Sequence, residues 1–600
     1  MNQVTVENTQ AQSLWDACRF KNLILIDRMT LIDESANFAS NPYVIKDNLR
    51  YRVHYVGEVE FKLVAYFCEP RSREDVERYF ANDLPRELTS PDLINCELPE
   101  YMNAILSLGV LTDGGERHDL IRTSGGKAGA IVFHAPPIQR HDKVVLSFPS
   151  TIAINLTERC NLACLHCSVG SNPSVSTKDD LTREELHRLF DSFDEYGLEN
   201  VRLTGGEPMI RPDFWEILED ATTNRRFSVT LFTNGTRLNE EGVERLRTIR
   251  ARMGSRFLVH ISLDGGRPES HDYLRNRKGN FERVVRTMRM LHERGVHFYV
   301  ESVLHERSAT VEDVEAMCEL VAPLGVTYIS LHPGEMIGTG EGETTLFFTR
   351  DFLVDFGNRL EPVVAKWKER GLTISFSSYT FPLDEPTHDD KRARLREKDR
   401  LNGSQKAGAS SEESENYGNP LGSFRSALMS TRSSGFNVCT AGISQAALGA
   451  NGDVYGCPRY VGAKPYVKGN VRERTILDIW NAPGWDFLRE DYQPKLKLCN
   501  DCAYFDNCFY GKTCRANPGY LFNDAYGVSP ECILEYDRLE LPYEKVKSYL
   551  EERIAENVGN DRIQRLCQRL LRDIAAKEAR RQSATTTSVA STESAERAVT

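Results

Sequence analysis

Hydrophobic and polar residues along this chain follow either a strand-like or a helix-like period. Segments of the two kinds alternate most clearly between residues 145 and 400. Short apolar runs of strand length are separated by segments in which apolar residues recur every three or four positions, as on one helix face. The apolar runs occupy residues 152–156, 201–203, 227–232, 257–263, 296–303 and 326–331. Six such units predict an α/β fold with a parallel sheet, and six rather than eight predict a partial (β/α)6 barrel of the TIM type.

The N-terminal part has shorter patterns. Residues 1–40 carry little periodicity and stay unassigned. Within residues 41–140, alternating apolar residues predict a strand at 51–55. Three helical faces follow, at 61–68, 75–80 and 102–106, and an apolar run at 130–133 predicts a further strand. Strands that flank three short helices predict a winged-helix-like domain.

After the barrel the composition changes. Residues 402–435 are rich in Ser, Gly, Glu and Asn, which predicts a flexible linker. Residues 436–545 contain seven cysteines and form a third predicted domain. A helix is predicted at 546–574, and the Ala, Ser, Thr and charged residues of 575–600 predict a disordered tail.

Charge and composition indicate which partners and which cell compartment to expect. The formal net charge of −12 argues against a nucleic-acid backbone as the main partner, because phosphate binding requires clustered Lys and Arg. No apolar run is long enough to span a membrane and the first residues show no secretory signal, so we expect a cytoplasmic protein without membrane contact. In that reducing compartment, cysteines are expected to serve as metal ligands rather than disulfides. Five of the 15 are expected to be buried apolar residues instead: Cys18, Cys68, Cys96, Cys318 and Cys567.

Three cysteines, Cys160, Cys164 and Cys167, lie within eight residues directly after the first predicted barrel strand. Thiolate sulfur selects iron–sulfur clusters or zinc over hard cations. Three thiolates hold three irons of a four-iron cluster and leave the fourth iron open, whereas a structural zinc site normally has four protein ligands. No fourth cysteine or well-placed histidine follows promptly, so the pattern favours a [4Fe–4S] cluster.

The second predicted strand ends in Thr204-Gly205-Gly206-Glu207-Pro208. Glycines there let another molecule approach the backbone, and Glu207 offers a carboxylate to an ammonium group. With the three-cysteine loop one unit earlier, this motif resembles the radical S-adenosylmethionine (SAM) superfamily. The resemblance implies that Gly205, Gly206, Glu207 and Pro208 hold the SAM amino group. It also implies that the cluster reduces SAM to a 5′-deoxyadenosyl radical, which takes a hydrogen atom from the substrate.

Further SAM contacts follow from the same resemblance. Ser262 and Asp264, at the end of the fourth strand, are expected near the SAM ribose or carboxylate, and the planar fork of Arg275 is suited to the carboxylate. Asp264 is equally well placed to cap the following turn, and Arg275 to form a surface salt bridge. Asn234 and Ser302, at the ends of the third and fifth strands, are weaker candidates.

The seven C-terminal cysteines resemble the SPASM domain, which follows the barrel in many radical SAM enzymes and binds two auxiliary iron–sulfur clusters. The resemblance implies that Cys499, Cys502, Cys508 and Cys532 hold one cluster, and that Cys439, Cys457 and Cys514 hold the other. Two four-iron clusters need eight ligands, so seven cysteines leave either a non-cysteine ligand or an open iron.

The N-terminal domain resembles the leader-peptide recognition element of enzymes that modify ribosomally made peptides, the PqqD-like fold. There an edge strand and the third helix receive an extended peptide. The alternative is a plain extension that packs on the barrel. With the recognition element, the chain is interpreted as a radical SAM/SPASM peptide maturase that forms a thioether or carbon–carbon crosslink in a precursor peptide. Its electrons are expected from a low-potential donor such as flavodoxin or ferredoxin.

Two other functions stay open. One is a radical SAM enzyme with another substrate, either a protein maturase of the anaerobic sulfatase-maturase type or an enzyme of cofactor biosynthesis. The other is a non-catalytic zinc-binding scaffold, because the Cys499-x2-Cys502 spacing also occurs in zinc sites. The sequence names no general acid or base, since Glu301 and Glu335 are two of many carboxylates near the predicted loop ends.

Overall fold

The computed structural model describes the barrel region and most of the C-terminal part, with shorter pieces of the N-terminal part. The described residues are 24–25, 29–33, 43–47, 52–67, 71–88, 94, 97–107, 111–112, 131–134, 145–376, 439–490, 492–502 and 514–597. The predicted linker at 402–435 and the predicted cluster ligand Cys508 lie outside them.

The N-terminal part forms a four-stranded sheet with four helices. Its strands are β1 (Ile24–Leu25), β2 (Met29–Asp33), β3 (Tyr43–Asp47), β4 (Arg52–Val56), β5 (Leu111–Thr112) and β6 (Ile131–His134). Its helices are α1 (Glu58–Tyr66), α2 (Arg73–Asn82), α3 (Leu84–Glu87) and α4 (Leu98–Ser107). The sheet order is β4-β3-β2-β6, and β1 pairs with β5. Strand β4 therefore lies at an edge of the sheet.

The predicted elements of this part are present. The predicted strand at 51–55 corresponds to β4, and Ser72 begins α2 with a capping box in which its side chain accepts from the Asp75 backbone. Strands β1 and β2 lie within residues 1–40, which carried no assignment. With two and five residues, these strands are too short for periodicity to give a clear signal.

The barrel strands are parallel and follow one another in the sheet. They are β7 (Thr151–Thr157), β8 (Asn200–Gly205), β9 (Ser228–Thr233), β10 (Phe257–Ser262), β11 (Phe298–Leu304), β12 (Tyr328–Pro333) and β13 (Thr373–Phe376). The intervening helices are α5 (Arg183–Glu195), α6 (Phe214–Thr222), α7 (Glu240–Met253), α8 (Pro268–Leu274), α9 (Asn280–Glu293), α10 (Val311–Val321) and α11 (Arg350–Glu369). The predicted parallel α/β sheet is confirmed, and β13 adds a seventh strand to the six predicted.

Alternate strand residues pack into two different environments. On β8, Val201 and Leu203 are fully buried in the core beneath the helices, whereas Arg202 between them faces the barrel interior, where it lies close to Glu301 of β11. At the bottom of that interior Leu258, Tyr299 and Tyr328 form a separate apolar cluster. The barrel interior therefore has an apolar floor with polar groups above it.

The C-terminal part continues the barrel sheet. Its strands are β14 (Gln445–Leu448), β15 (Asp453–Tyr455) and β16 (Gly469–Asn470). Strand β14 pairs in parallel with β7 and antiparallel with β15, and Gly452 lies in the turn between β14 and β15. The helices are α12 (Ile476–Trp480), α13 (Asp486–Arg489), α14 (Ala516–Phe522), α15 (Pro530–Leu534), α16 (Tyr543–Glu556) and α17 (Asp561–Arg597).

The structure corrects the predicted C-terminal end. Instead of one helix at 546–574 and a disordered tail, α16 ends before Gly559, which has a φ of +85°, and α17 continues to Arg597. Residues 575–582 are Ala, Lys, Glu, Arg and Gln, all strong helix formers, and the start of this segment is anchored. Tyr536 donates to Glu578 at 2.5 Å, and the Lys577 ammonium donates to the Leu534 carbonyl at 2.9 Å. No helix among the described residues has both the length and the apolar character needed to cross a membrane.

Candidate radical SAM and iron–sulfur site

The three-cysteine loop begins directly after β7 and brings its sulfur atoms together. Cys160 and Cys164 are buried with Leu162, and Cys167 packs against them. Burial raises the pKa of the Cys160 thiol to about 12 and that of Cys164 to about 11, and the neighbouring thiols contribute to this shift. Such thiols ionise when a metal binds them, because the metal replaces the proton.

Each of the three sulfur atoms has an N–H donor nearby. The donors are the Leu162 amide to Cys160 Sγ (3.4 Å), the Ser171 amide to Cys167 Sγ (3.2 Å), Asn234 Nδ2 to Cys160 Sγ (3.8 Å) and Arg275 Nη1 to Cys164 Sγ (3.9 Å). Donors of this kind stabilise metal-bound thiolates and tune iron–sulfur centres. The loop therefore fits an iron–sulfur cluster. In the described part of the chain, no three His, Cys, Asp or Glu side chains are arranged around the position of a single metal ion.

The two glycines of the Gly-Gly-Glu-Pro motif pack against the cysteine loop. A Cβ on Gly205 would lie 2.2 Å from the Thr157 carbonyl oxygen, and one on Gly206 would lie 2.0 Å from the Arg159 carbonyl oxygen. The Gly206 amide donates to the Thr157 carbonyl at 2.8 Å, and the Glu207 amide donates to that of Arg159 at 3.0 Å. The close approach expected at these glycines is thus made by the chain itself, and it sets the motif beside the cysteines.

Glu207 is fully buried, and its carboxylate is already hydrogen-bonded within the chain. Oε1 accepts from Thr233 Oγ1 at 2.8 Å and from the Met209 amide at 3.1 Å, while Oε2 accepts from the Asn234 amide at 2.8 Å. Burial raises the pKa of Glu207, and these hydrogen bonds oppose that effect. Glu207 thus ties the ends of β8 and β9 together, and its contact with the SAM ammonium stays a prediction. Pro208 begins the short 3₁₀ helix that follows.

Asp264 and Arg275 pair with each other. Arg275 Nε lies 2.5 Å from Asp264 Oδ2, and Asp264 Oδ1 accepts from the Val303 amide at 3.0 Å. Burial alone would raise the pKa of Asp264, but the Arg275 charge lowers it to about 2. The surface salt bridge considered for Arg275 is thus a buried one, and it lies against the Cys164 sulfur.

The remaining candidates divide between the two sides of the sheet. Ser262 is half-buried at the end of β10, and Asn234 contacts both Cys160 and Asn161 beside the cysteine loop. Ser302 is fully buried and alternates with Glu301, so its side chain lies on the helix side of β11, away from the barrel interior. The structure therefore does not bring Ser302 to the site.

A loop after β12 supports the cysteine loop, and sequence reasoning missed it. Thr339 donates from its amide to the Cys167 carbonyl at 2.9 Å and from its hydroxyl to the Cys164 carbonyl at 2.9 Å. Gly338 has a φ of +60°, and a Cβ there would lie 2.1 Å from the Cys167 carbonyl oxygen. The sequence did contain a sign of this loop. Its three glycines, at 338, 340 and 342, are typical of a segment whose backbone lies close to another part of the chain.

The C-terminal cysteines form two sets. Burial raises the pKa of Cys457, and the nearby Cys439 and Cys514 thiols raise it further, which places these three sulfurs together. Arg459 Nη1 donates to Cys514 Sγ at 3.8 Å. The second set, Cys499, Cys502 and Cys532, packs around a different apolar cluster. This division matches the grouping that the sequence predicted for the described cysteines.

Family models match two parts of the chain. The Radical SAM superfamily model matches residues 154–321, and the SPASM iron–sulfur cluster-binding domain model matches residues 439–503. The first match contains the three-cysteine loop and the Gly-Gly-Glu-Pro motif. The second contains Cys439, Cys457, Cys499 and Cys502.

Several curated proteins are similar over much of the chain. The AdoMet-dependent heme synthase of Methanosarcina barkeri is 27% identical over 392 residues, which cover 64% of this chain and 96% of the relative. The mycofactocin maturase MftC of Mycobacterium ulcerans is 27% identical over 416 residues, 67% of this chain and 92% of the relative. AlbA of Bacillus subtilis, an antilisterial bacteriocin subtilosin biosynthesis protein, is 30% identical over 192 residues, 32% of this chain and 41% of the relative.

Among solved structures, SuiB of Streptococcus suis bound to S-adenosylmethionine superimposes with a TM-score of 0.52 at 16% identity, over 85% of this chain and 99% of SuiB. This likeness shows a shared fold. The two family matches and the curated relatives lead to one conclusion: the chain carries a radical SAM domain followed by a SPASM iron–sulfur domain, and it is a radical SAM enzyme.

Proposed function

We propose that this enzyme matures a ribosomally made precursor peptide by forming a thioether or carbon–carbon crosslink in it. The observation that carries the proposal is the combination of a three-cysteine loop with a second cysteine-rich domain on the same sheet. Relatives with this combination include proteins named mycofactocin maturase and subtilosin biosynthesis protein, and the SuiB structure has also been solved with the precursor peptide SuiA.

In the proposed reaction the residues of this chain hold and shield the reacting groups. Cys160, Cys164 and Cys167 would hold a [4Fe–4S] cluster, which when bound supplies the electron that cleaves SAM. Asn234 and Arg275 orient the sulfurs through their N–H groups. The apolar floor of the barrel excludes water from below, which protects a reactive intermediate from quenching.

We further propose that Cys439, Cys457 and Cys514 hold one auxiliary cluster, and that Cys499, Cys502, Cys508 and Cys532 hold another. These clusters would accept the electron that the substrate loses when the crosslink forms. A flavodoxin or ferredoxin would supply the electron that cleaves SAM. The N-terminal domain would bind the leader of the peptide in the PqqD-like manner. Support comes from β4, which is an edge strand of its sheet among the described residues, the geometry that β-augmentation requires.

Co-expression with candidate precursor peptides, chosen from short open reading frames near the gene, tests the proposal. Mass spectrometry should show a peptide lighter by two hydrogens, and Cys160→Ala should abolish both this product and 5′-deoxyadenosine. A peptide without its leader should react more slowly by a factor on the order of 10², because tethering raises its effective concentration. Unmodified peptide from an iron-loaded enzyme that cleaves SAM would contradict the proposal.

A second candidate is cofactor biosynthesis, favoured by the similarity to AdoMet-dependent heme synthase over nearly the whole of that relative. Anaerobic incubation of the iron-loaded enzyme with a porphyrin carrying propionate groups separates the two. Conversion of the porphyrin together with an unmodified peptide would favour the second candidate.

A further inference from the structure

The seven C-terminal cysteines leave one ligand position of the two proposed auxiliary clusters without a sulfur. The set that lacks a fourth ligand consists of Cys439, Cys457 and Cys514, and we name it the first C-terminal set. A side chain that completes this set must be buried close to the three sulfurs. Its donor atom must also be available, because a polar atom that is already paired gives up that partner in order to bind a metal.

Tyr460 meets both requirements. The residue is 1% exposed, and its buried hydroxyl has no hydrogen-bond partner among the described residues. Burial raises the pKa of this phenol, and the nearby thiols of all three cysteines in the first C-terminal set raise it further, which places them around the Tyr460 side chain. A buried hydroxyl without a partner costs free energy, and a bond to a metal removes that cost.

The backbone turn after Cys457 directs Tyr460 toward the first C-terminal set. Residues Pro458–Tyr460 form a short 3₁₀ helix, in which the Tyr460 amide donates to the Cys457 carbonyl at 3.1 Å. A 3₁₀ helix has three residues per turn, so side chains three positions apart project from the same side. The Cys457 thiol and the Tyr460 ring therefore leave the backbone on one side of this turn.

Neighbouring rings and a glycine fix the position of the Tyr460 ring. Its centroid lies 4.7 Å from that of Tyr466 and 5.9 Å from that of Phe487, which it meets edge to face. A Cβ on Gly519 would lie 3.1 Å from Cε1 of Tyr460, so the glycine leaves room for the ring. Gly519 belongs to α14, which begins two residues after Cys514. The ring is thus held between its own turn and the helix that follows Cys514.

Glu335, a carboxylate considered from the sequence, is the other oxygen ligand near this set, and it is engaged with Arg459. The Arg459 guanidinium contacts two groups: Nη1 donates to Cys514 Sγ at 3.8 Å, and Nη2 forms an ion pair with Glu335. To bind iron, Glu335 would have to compete with this ion pair. The Tyr460 hydroxyl has no such competitor among the described residues.

We propose that the phenolate oxygen of Tyr460 is the fourth protein ligand of the auxiliary cluster at the first C-terminal set; this inference rests on the auxiliary cluster proposed above. As the cluster assembles, an Fe–O bond replaces the phenol O–H bond, and the proton leaves to solvent with those of the three thiols. Tyrosine also binds iron in some haem proteins. With this ligand no iron of the cluster stays open, so the cluster accepts an electron without binding the substrate.

The test uses the full-length chain with Cys160, Cys164 and Cys167 replaced by alanine, which removes the cluster that binds SAM through an open iron. We name this variant the background. Loaded with iron and sulfide under anaerobic conditions, the background should hold about eight irons per chain, divided equally between two auxiliary clusters. Any open iron that remains then belongs to an auxiliary cluster.

Three further substitutions are compared in this background. Tyr460→Phe removes the proposed ligand and keeps the ring. Tyr466→Phe is the matched control, because Tyr466 lies in the same group of rings and its hydroxyl is hydrogen-bonded to the Ala525 backbone. Glu335→Gln tests the alternative oxygen ligand.

Two measurements report an open iron. Mild oxidation with ferricyanide removes an iron that lacks a protein ligand and leaves a three-iron cluster, which electron paramagnetic resonance detects. Cyanide binds to an open iron and shifts the resonance of the reduced cluster. We expect Tyr460→Phe to lose about one iron per chain on oxidation and to respond to cyanide, whereas the background, Tyr466→Phe and Glu335→Gln should do neither.

The outcomes separate this inference from the cluster on which it rests. If replacing the whole first C-terminal set by alanine removes no iron from the background, the set holds no cluster, and both the cluster and this inference are overturned. If the set holds a cluster, an iron that is already open in the background overturns only the assignment of Tyr460. A Tyr460→Phe variant that behaves like the background overturns it too, as does the same response in Tyr466→Phe or Glu335→Gln.

Discussion

Two buried acidic residues determine how the cysteine loop is supported at the scale of single residues. Glu207 joins the ends of β8 and β9 through three hydrogen bonds, and Asp264 holds Arg275 against the Cys164 sulfur. A buried charge is costly unless it is paired and hydrogen-bonded. Both carboxylates therefore hold neighbouring groups in place around the cysteine loop.

Asp264→Asn should destabilise the protein by roughly 3–5 kcal/mol, because the substitution leaves the Arg275 charge buried without its partner. It should also change the pH dependence. The folded pKa of Asp264 is lowered to about 2 from 3.8, so its stabilisation is present above about pH 4 and is lost as the pH falls toward 2. Denaturant unfolding of the apoprotein measures this. An equally steep loss of stability in Asp264→Asn over that range would contradict the prediction.

Gly206→Ala should disrupt the contact between the Gly-Gly-Glu-Pro motif and the cysteine loop. The added Cβ would lie 2.0 Å from the Arg159 carbonyl oxygen, so the backbone must move. We expect a loss of roughly 1–3 kcal/mol in stability and lower iron retention after reconstitution. Gly295→Ala is the control. Its φ of +66° strains an alanine backbone, but no atom lies within 4 Å of the new Cβ, so iron retention should not change. Full iron retention in Gly206→Ala would show that the loops tolerate separation.

At the scale of secondary-structure elements, α17 reaches the cysteine loop through an intermediate segment. Arg562 Nη1 lies 3.2 Å from Glu341 Oε2, and Arg569 Nη2 donates to the Glu341 carbonyl at 2.7 Å. Glu341 belongs to the same loop as Thr339, which binds the carbonyls of Cys164 and Cys167. The C-terminal helix therefore holds the loop that holds the cysteines.

Arg569→Gln should loosen this connection without unfolding the helix. We expect faster hydrogen exchange at the backbone of residues 164–171 and 338–342, by a factor of about 10 if the lost hydrogen bond contributes roughly 1–1.5 kcal/mol. Arg572→Gln serves as the control because Arg572 is exposed on the same helix. Unchanged exchange in both segments would show that α17 does not support the cysteine loop.

At the scale of the whole molecule, the C-terminal part is structurally continuous with the barrel. Strand β14 extends the parallel sheet beside β7, and the fully buried Trp480 donates from Nε1 to the Leu146 carbonyl at 2.7 Å. Arg489 lies over the rings of both Trp480 and Trp485, at 4.7 Å from each. A shared core of this kind predicts that residues 145–376 and 439–490 unfold together.

Trp480→Ala should therefore destabilise both parts by roughly 3–5 kcal/mol through the cavity it leaves. The measurement is calorimetric or denaturant unfolding followed by two probes, one in the barrel and one in the C-terminal part, which should give coincident transitions. Val558→Ala, at a side chain that is 82% exposed, should have little effect. Separate transitions for the two parts would contradict the shared core.

Local patterns in the sequence were sufficient to predict the barrel strands and the cysteine loop. Strand residues such as Val201 and Leu203 are apolar because they face the helices, and that constraint is visible in the chain itself. The spacing of Cys160, Cys164 and Cys167 likewise specified a three-thiolate site. The helical segment after residue 575 was missed because tertiary anchoring at Lys577 and Glu578 decides whether such residues are ordered.

Only the tertiary structure decided which polar groups meet. The sequence left SAM contacts and local roles open for Asp264 and Arg275, and it did not indicate that the two residues pair with each other. His260, Glu301 and His332 are 41 and 31 residues apart along the chain and become neighbours only when β10, β11 and β12 align. Sequence periodicity determines which side of a strand a residue occupies, but the register between strands determines its partner across the barrel.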